Sequence, residues 1–279
     1  MVITSALATL GGRGQGGQGV GRGAQPIAYD DYTGYVKLWD GQTFNGWDGE
    51  TDVWSIDHGG IHADTTKTPG QHHIHYKGPG AIMKDFDLKV EVRMSEMGAN
   101  GGIQYRSRLL HPAHGGSIDN PLGKPLPADI TTLAAAVAAG ITAAPAGGNA
   151  PNPWQVSGYQ CDLNSGNNYT GQLYEGQGRG IVTVPGAIVQ LLPGRQNVRI
   201  GAVTGNPAQF VKPHKGIEGQ WNQIQIIARG NTLVHIINGQ VITVSVDDNP
   251  ADRAYQGFLS LQLEGQGQIW YRNVYVKHF

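Results

Sequence analysis

From Tyr35 to the C-terminus the chain breaks into short runs in which apolar and polar residues alternate, with Gly, Asn and Asp between them. A period of two buries one face of a strand, whereas a helix repeats about every 3.6 residues. The runs fall at 36–39, 53–56, 86–94, 103–107, 158–163, 224–228, 233–237, 240–246, 257–263 and 269–277. Many short strands with turn residues between them predict an all-β sandwich. The strongest hairpin signal is Asn238-Gly239, since both residues tolerate a positive φ. No internal repeat is present.

Composition narrows the function classes. The chain has 279 residues, 43 of them Gly, a net charge of −1 and only 15% charged residues, against about 25% in an ordinary domain. Such weak charge excludes the basic footprint of a nucleic-acid binder and a polybasic membrane-surface segment. No apolar run approaches the roughly 20 residues that span a bilayer. Neither nucleic acid nor membrane is therefore expected as a partner. Cys161 is the only cysteine, which excludes an intrachain disulfide and a thiolate metal site.

The first ten residues, MVITSALATL, carry a small-x-small step at Ala6-Leu7-Ala8 and read as a residual export signal. Residues 11–23 are Gly-rich and have almost nothing to bury. A flexible segment over 1–30 and one domain over 31–279 are predicted. Within that domain, 108–153 is a long insertion rich in Pro, Gly and Ala, with one helix expected near 129–139. Residues 181–220 are punctuated by Gly and Pro, with strands expected at 181–184 and 197–200.

Several strands pair polar residues on one face. In DLKVEVRM, Leu88, Val90, Val92 and Met94 form an apolar face opposite Lys89, Glu91 and Arg93. The same alternation sets Gln104 and Arg106 together, Gln160 with Asp162, and Gln262 with Glu264. Cys161 falls on the apolar side. Planar amides and carboxylates suit sugar hydroxyls, and arginine suits an oxyanion, so a concave polyol site is expected. LYEGQGRG adds Tyr174, Glu175 and Arg179 on a Gly-rich turn.

Other chemistries find no motif. There is no phosphate loop, so no nucleotide cofactor is expected. A GxSxG elbow and an HEXXH helix are both missing. His58, His62, His72, His73 and His75 lie near Asp52, Asp57 and Asp64, but in no metal-site spacing, and read as surface loop residues. On a strand His73 and His75 would point the same way.

Several segments together resemble the 3-keto-disaccharide hydrolase domain family. They are LWDGQTFNGWDG, VWSIDHGGI, DFDLKVEVRMSEMGANGGIQYRS, SGYQCDL, GQLYEGQGRG, GQWNQIQIIARGNTLVHIINGQVI and DDNPADRAYQGFLSLQLEGQGQIWYRNVYVK. The resemblance runs from about residue 35 to 279. It implies a concanavalin/LamG-like jelly-roll β-sandwich and, the family being one of bacterial exported proteins, a periplasmic or secreted location.

The implied activity is cleavage of glycosides whose glucose is oxidised to a ketone at C3. A base removes the C2 hydrogen, the enolate expels the C1 substituent, and water adds back. The resemblance puts Asp162 or Glu175 forward as base, and Arg106 or a divalent metal ion on the enolate oxygen. His235 is a further acid/base candidate. Gln104, Gln160, Tyr174, Arg179, Gln262 and Glu264 are expected to bind the sugar. Relatives often carry His where this chain has Glu264. The 108–153 segment is longer than the family's and is expected to cap the groove.

A non-catalytic carbohydrate-binding module on the same sandwich is the competing reading. It would favour a flat row of exposed aromatics, yet Trp39, Trp47, Trp54, Trp154, Trp221 and Trp270 are scattered and mostly read as core. A retaining glycosidase of laminarinase type needs paired carboxylates about 5–5.5 Å apart, and no ExDxE-type strand is present.

Overall fold

Alternation turns directly into layers. The run FDLKVEVRM forms a strand over Phe86–Met94, and its alternate residues Phe86, Leu88, Val90, Val92 and Met94 are all buried in the main core. The computed structural model of the chain describes residues 29–95, 98–111, 114–143, 152–166, 168–203 and 221–279. The Gly-rich stretch expected to be flexible lies, up to residue 28, outside them. Residues Tyr32–Phe279 form one unit by their contacts.

Among the described residues there are seventeen strands and one short helix. In chain order the first six strands are β1 (Val36–Lys37), β2 (Trp47–Gly49), β3 (Trp54–Asp57), β4 (Gly60–Asp64), β5 (Gly70–Tyr76) and β6 (Phe86–Met94). The strands β7 (Ala99–Leu109) and β8 (Val156–Asn164) flank the helix α1 (Leu133–Ala138). Next come β9 (Leu173–Gly176), β10 (Gly180–Thr183), β11 (Ala187–Leu192), β12 (Gln196–Ala202) and β13 (Asn222–Arg229). The last four are β14 (Thr232–Ile237), β15 (Gln240–Asp247), β16 (Phe258–Gly265) and β17 (Gln268–His278).

They form a two-sheet sandwich. One sheet runs β12-β11-β15-β14-β13-β6-β17-β4-β3, with β1 on β17; the other runs β10-β9-β8-β7-β16-β5-β2. All pairings are antiparallel except β11 with β15. The β14–β15 hairpin turns at Asn238-Gly239, with φ of 48° and 78°, as the dipeptide predicts. Ile224, Ile226, Leu233 and Ile237 on one sheet pack toward Ile103, Cys161, Leu261 and Leu263 on the other, all buried. Burial pushes the Cys161 thiol well up, so it stays protonated and inert. Trp39, Trp47, Trp54, Trp154 and Trp270 are buried as well, which leaves no flat aromatic row among them.

Two expectations change. The histidines read as loop residues lie in strands: His62 in β4 and His72, His73 and His75 in β5 are buried, and only His58 sits in an exposed turn. The expected helix at 129–139 shortens to α1, which starts where Thr132 Oγ1 accepts from the Ala135 N–H and ends before Gly140 at φ 70°.

Polar groups also cross the core. The Tyr159 hydroxyl donates to Asp247 Oδ2 at 2.6 Å, and Arg179 bonds both Asp247 and Glu175, at 2.6 and 2.5 Å. The Tyr105 hydroxyl meets His235 Nε2 at 2.9 Å, while His235 Nδ1 lies 3.0 Å from Gly171 O. A carbonyl only accepts, so Nδ1 carries the proton and Nε2 accepts the hydrogen bond that the Tyr105 hydroxyl donates. Burial lowers the His235 pKa to about 4, which keeps the ring neutral.

Arg179→Leu removes the one cation between two buried carboxylates. Leaving a buried charge uncompensated costs about 3–5 kcal/mol, and urea unfolding of the variant reads it directly. A loss under about 1 kcal/mol, the size of an exposed pair, would mean that water reaches both carboxylates.

Candidate active site

On the seven-stranded sheet, the residues alternating with the core point away from the other sheet. Register lines them up in rows across the strands. One row runs His75, Ser260, Gln104, Gln160, Tyr174. The next holds His73, Gln262, Gly102 and Asp162, and a third holds Gln71, Glu264, Asn100 and Asn164.

The middle row has a gap at Gly102, and the gap is filled. A Cβ there would lie 2.5 Å from Gln160 Nε2, so only glycine lets the Gln160 side chain lie flat across the sheet. Gln160 Nε2 donates to Asp162 Oδ1 at 2.5 Å and to Gln262 Oε1 at 2.8 Å. Its own Oε1 accepts from Gln104 Nε2 at 2.7 Å. Gln172 Nε2 donates to the other Asp162 oxygen at 2.6 Å. Gln262 Nε2 is 3.5 Å from Glu264 Oε2.

Asp162 is only 6% exposed. Burial pushes its pKa up to about 7; the Gln172 and Gln160 bonds oppose the shift and Glu264 adds to it. Two N–H donors favour the carboxylate, but desolvation disfavours it more. Burial also raises the Tyr174 and Tyr169 hydroxyls, with the charges of Asp162 and Glu264 contributing.

One side of this face is walled by the segment between β7 and β8. Leu109, Val156 and Phe258 cluster with Leu122, and Ile130, Ala136 and Trp154 form a second small core. Asn152 Nδ2 bonds Glu50 Oε1 and Gln71 O, and Gln155 reaches Gln71 Oε1. Of the expected 108–153 cap, residues 112–113 and 144–151 lie outside the described residues. Beside this wall burial drives His73 down to about 3 and His75 well below 6.5. Both are neutral. Neither His73 nitrogen has a hydrogen-bond partner, and Gln104 Oε1 and Asn100 Oδ1 lack one too.

Not every candidate residue reaches this face. Gln104, Gln160, Asp162, Tyr174, Gln262 and Glu264 do. Arg106 does not, although alternation sets it with Gln104. A bulge at Tyr105–Arg108 puts Arg106 at φ 48° and turns its side chain away. Its guanidinium instead bonds Lys84 O, Gly230 O and Ala254 O at 2.8–3.2 Å and pairs with Asp85. Glu175 lies opposite Tyr159 in register, on the core side, where Arg179 holds it. His235 is in the core on the other sheet. Two residues of the site, Gly102 and Gln172, were not singled out in the sequence. Gln172 was readable, since it alternates with Leu173 just as Tyr174 does.

A divalent cation does not fit this donor set. Among the described residues no three His, Cys, Asp or Glu side chains come together to hold a metal. The groups around Asp162 are amides whose N–H donors already occupy both its oxygens.

Comparison with known proteins agrees with this architecture. A family profile described as 3-keto-alpha-glucoside-1,2-lyase-like domain matches residues 34–277. No curated protein matches in sequence. Among solved structures, a Bacillus subtilis protein of unknown function with a galectin-like fold is similar at TM-score 0.50 and 10% identity, covering 88% of this chain and 94% of that one. An unconfirmed glycosyl hydrolase from Parabacteroides distasonis is similar at 0.47 and 14%, covering 88% and 94%. The carbohydrate-binding module CBM66 of Bacillus subtilis is similar at 0.44 and 11%, covering 83% and 95%.

The raised Asp162 carboxyl makes stability depend on pH. Unfolded, it ionises near 3.8; folded, near 7. Between these values the folded chain holds one more proton, so stability falls as pH rises through that window, by up to about 4 kcal/mol. Asp162→Asn lacks this term. Urea unfolding from about pH 4 to about pH 8 should show the variant gaining on the parent as pH rises; parallel curves would assign Asp162 an ordinary pKa.

Proposed function

This chain belongs to the 3-keto-alpha-glucoside-1,2-lyase-like domain family, and from that membership we propose that it cleaves 3-keto-glycosides by elimination. The observation that carries the reading is Asp162, a buried carboxyl brought to about 7 on a face of amides. A general base works best with a pKa near the operating pH.

In this reading the Asp162 carboxylate takes the C2 proton. The C2–H bond breaks and its electrons form the C2=C3 enolate, with the charge on the former ketone oxygen. Collapse of the enolate restores the ketone, makes the C1=C2 bond and breaks the bond from C1 to the aglycone oxygen, which leaves with a proton. Water then adds to C1 and a proton returns to C2, giving the free 3-keto-sugar.

The neighbours of Asp162 supply what else the sequence of steps needs. The Gln262 amide, in the same row as Asp162, and the Tyr174 hydroxyl, in the adjoining row, stand as N–H and O–H donors for the enolate and aglycone oxygens. Gln104 Oε1 and Asn100 Oδ1, which lack protein partners, and the Glu264 carboxylate accept from sugar hydroxyls. Glu175 and Arg106, turned to other surroundings, take no part. The ligand is thus a small sugar.

The test is aglycone release from a 3-keto-glucoside and from its unoxidised parent, followed by chromatography. Release from the keto form alone is expected, with a rate that rises with pH through about 7. Asp162→Asn should lower kcat/KM by about 10²–10⁴-fold, the worth of a general base. Release from the parent would mean an ordinary glycosidase. Sugar binding with release from neither would mean a carbohydrate-binding module.

A further inference from the structure

A cavity lies away from Asp162. The start of the β7–β8 connection, the turn after β9, the β11–β12 turn and the loop 250–256 surround a cavity of about 230 Å³. Its lining includes Arg106, Arg108, Arg195 and Arg253, with the carboxylates of Glu175 and Asp252. Gln256 Nε2 donates to Ile118 O at 3.0 Å and joins two of the walls. Gly158, on the wall, is four residues from Asp162 along β8, about 13 Å at the rise of an extended strand.

The charges do not balance within the cavity. Arg106 pairs with Asp85, Arg195 with Asp252, and Glu175 with Arg179. Among the described residues Arg108 and Arg253 have no carboxylate at ion-pair distance. Arg253 is anchored by Nη1 to Asp247 O at 3.0 Å and by Nη2 to the Tyr255 hydroxyl at 2.8 Å. Its Nε is buried with no partner. Burial, and to a smaller degree the Arg253 charge, depress the Arg106 guanidinium, so two cations stand near each other at this site.

We propose that the cavity binds a hydroxylated carboxylate of monosaccharide size, an aldonic or uronic acid. The planar fork of an arginine matches a carboxylate in two hydrogen bonds, and an anion here relieves the repulsion between Arg106 and Arg253. Glu175 and Asp252 then accept from the ligand's hydroxyls. Inorganic phosphate has fewer hydroxyls to offer the two carboxylates and more charge to set against them. The volume falls below the roughly 300–1,000 Å³ of drug-sized pockets, which suits one sugar unit and excludes a chain of them. The site does not depend on elimination at Asp162.

Calorimetric titration of the full chain with glucuronate, gluconate, glucose and inorganic phosphate tests this. At least one sugar acid should bind, more weakly as salt rises, while glucose should not. Arg108→Ala, at an exposed position, and Arg253→Gln should each weaken that binding at least tenfold, and Asp162→Asn should leave it unchanged. Three results would overturn the proposal: no sugar acid binding to the parent protein, phosphate binding as tightly as the acids, or binding lost in Asp162→Asn and kept in both arginine variants. The elimination reading stands or falls separately, on aglycone release.

Discussion

The amide of Gln160 holds the polar face of the seven-stranded sheet in register. Its two N–H groups go to Asp162 and Gln262 and its carbonyl accepts a hydrogen bond from the Gln104 amide. One side chain thereby fixes residues on three strands, β7, β8 and β16. The arrangement requires that nothing stand at Gly102, where any Cβ would strike Gln160. Amides serve this purpose well, since they donate and accept in one plane and carry no charge that must be neutralised. A network so nearly satisfied is rigid.

The core shows the same principle with the opposite outcome. Arg106, Glu175, Arg179, Asp247 and His235 are buried, and each is nearly exhausted by partners within the protein. Buried charges survive only when paired and hydrogen-bonded. These groups tie the sheets and loops together. Most of their hydrogen-bonding capacity is spent on structure, which separates them from Asp162, whose burial is offset by only two amide bonds.

Much of the fold was legible because a period of two is hard to mistake when one face is apolar. The run at 86–94 gave its strand to the residue, and GYQCDL put Cys161 in the core and Asp162 on the far side. Three features defeated the same rule. The bulge after Tyr105 adds a residue with no glycine to mark it, so Arg106 falls out of phase with Gln104. The stretch GQLYEGQGRG reads as a Gly-rich turn, yet alternation from Leu173 puts Glu175 on the core side and Gln172 beside Tyr174. The β5 run, with its three histidines, looked like a polar loop. It is a strand because β2 and β16 pair with it on either side and the wall around Trp154 buries its outer face.

The bulge at Arg106 also bears on the chemistry. Had alternation continued, Arg106 would stand on this face one row beyond Gln104 and two rows from Asp162, with a side chain long enough to lean toward it. A cation within about 4–6 Å of a carboxylate lowers its pKa by roughly 1–3 units. Asp162 would then be ionised at neutral pH but a weaker base toward a carbon acid, since basicity falls with pKa. The left-handed turn that sends the guanidinium to Lys84, Gly230, Ala254 and Asp85 leaves Asp162 among neutral amides, with Glu264 as its charged neighbour. Desolvation then sets its pKa near 7. The proposed role of Asp162, taking a proton from C2, needs that balance: strong enough to remove it, and still ionised for a useful part of the time.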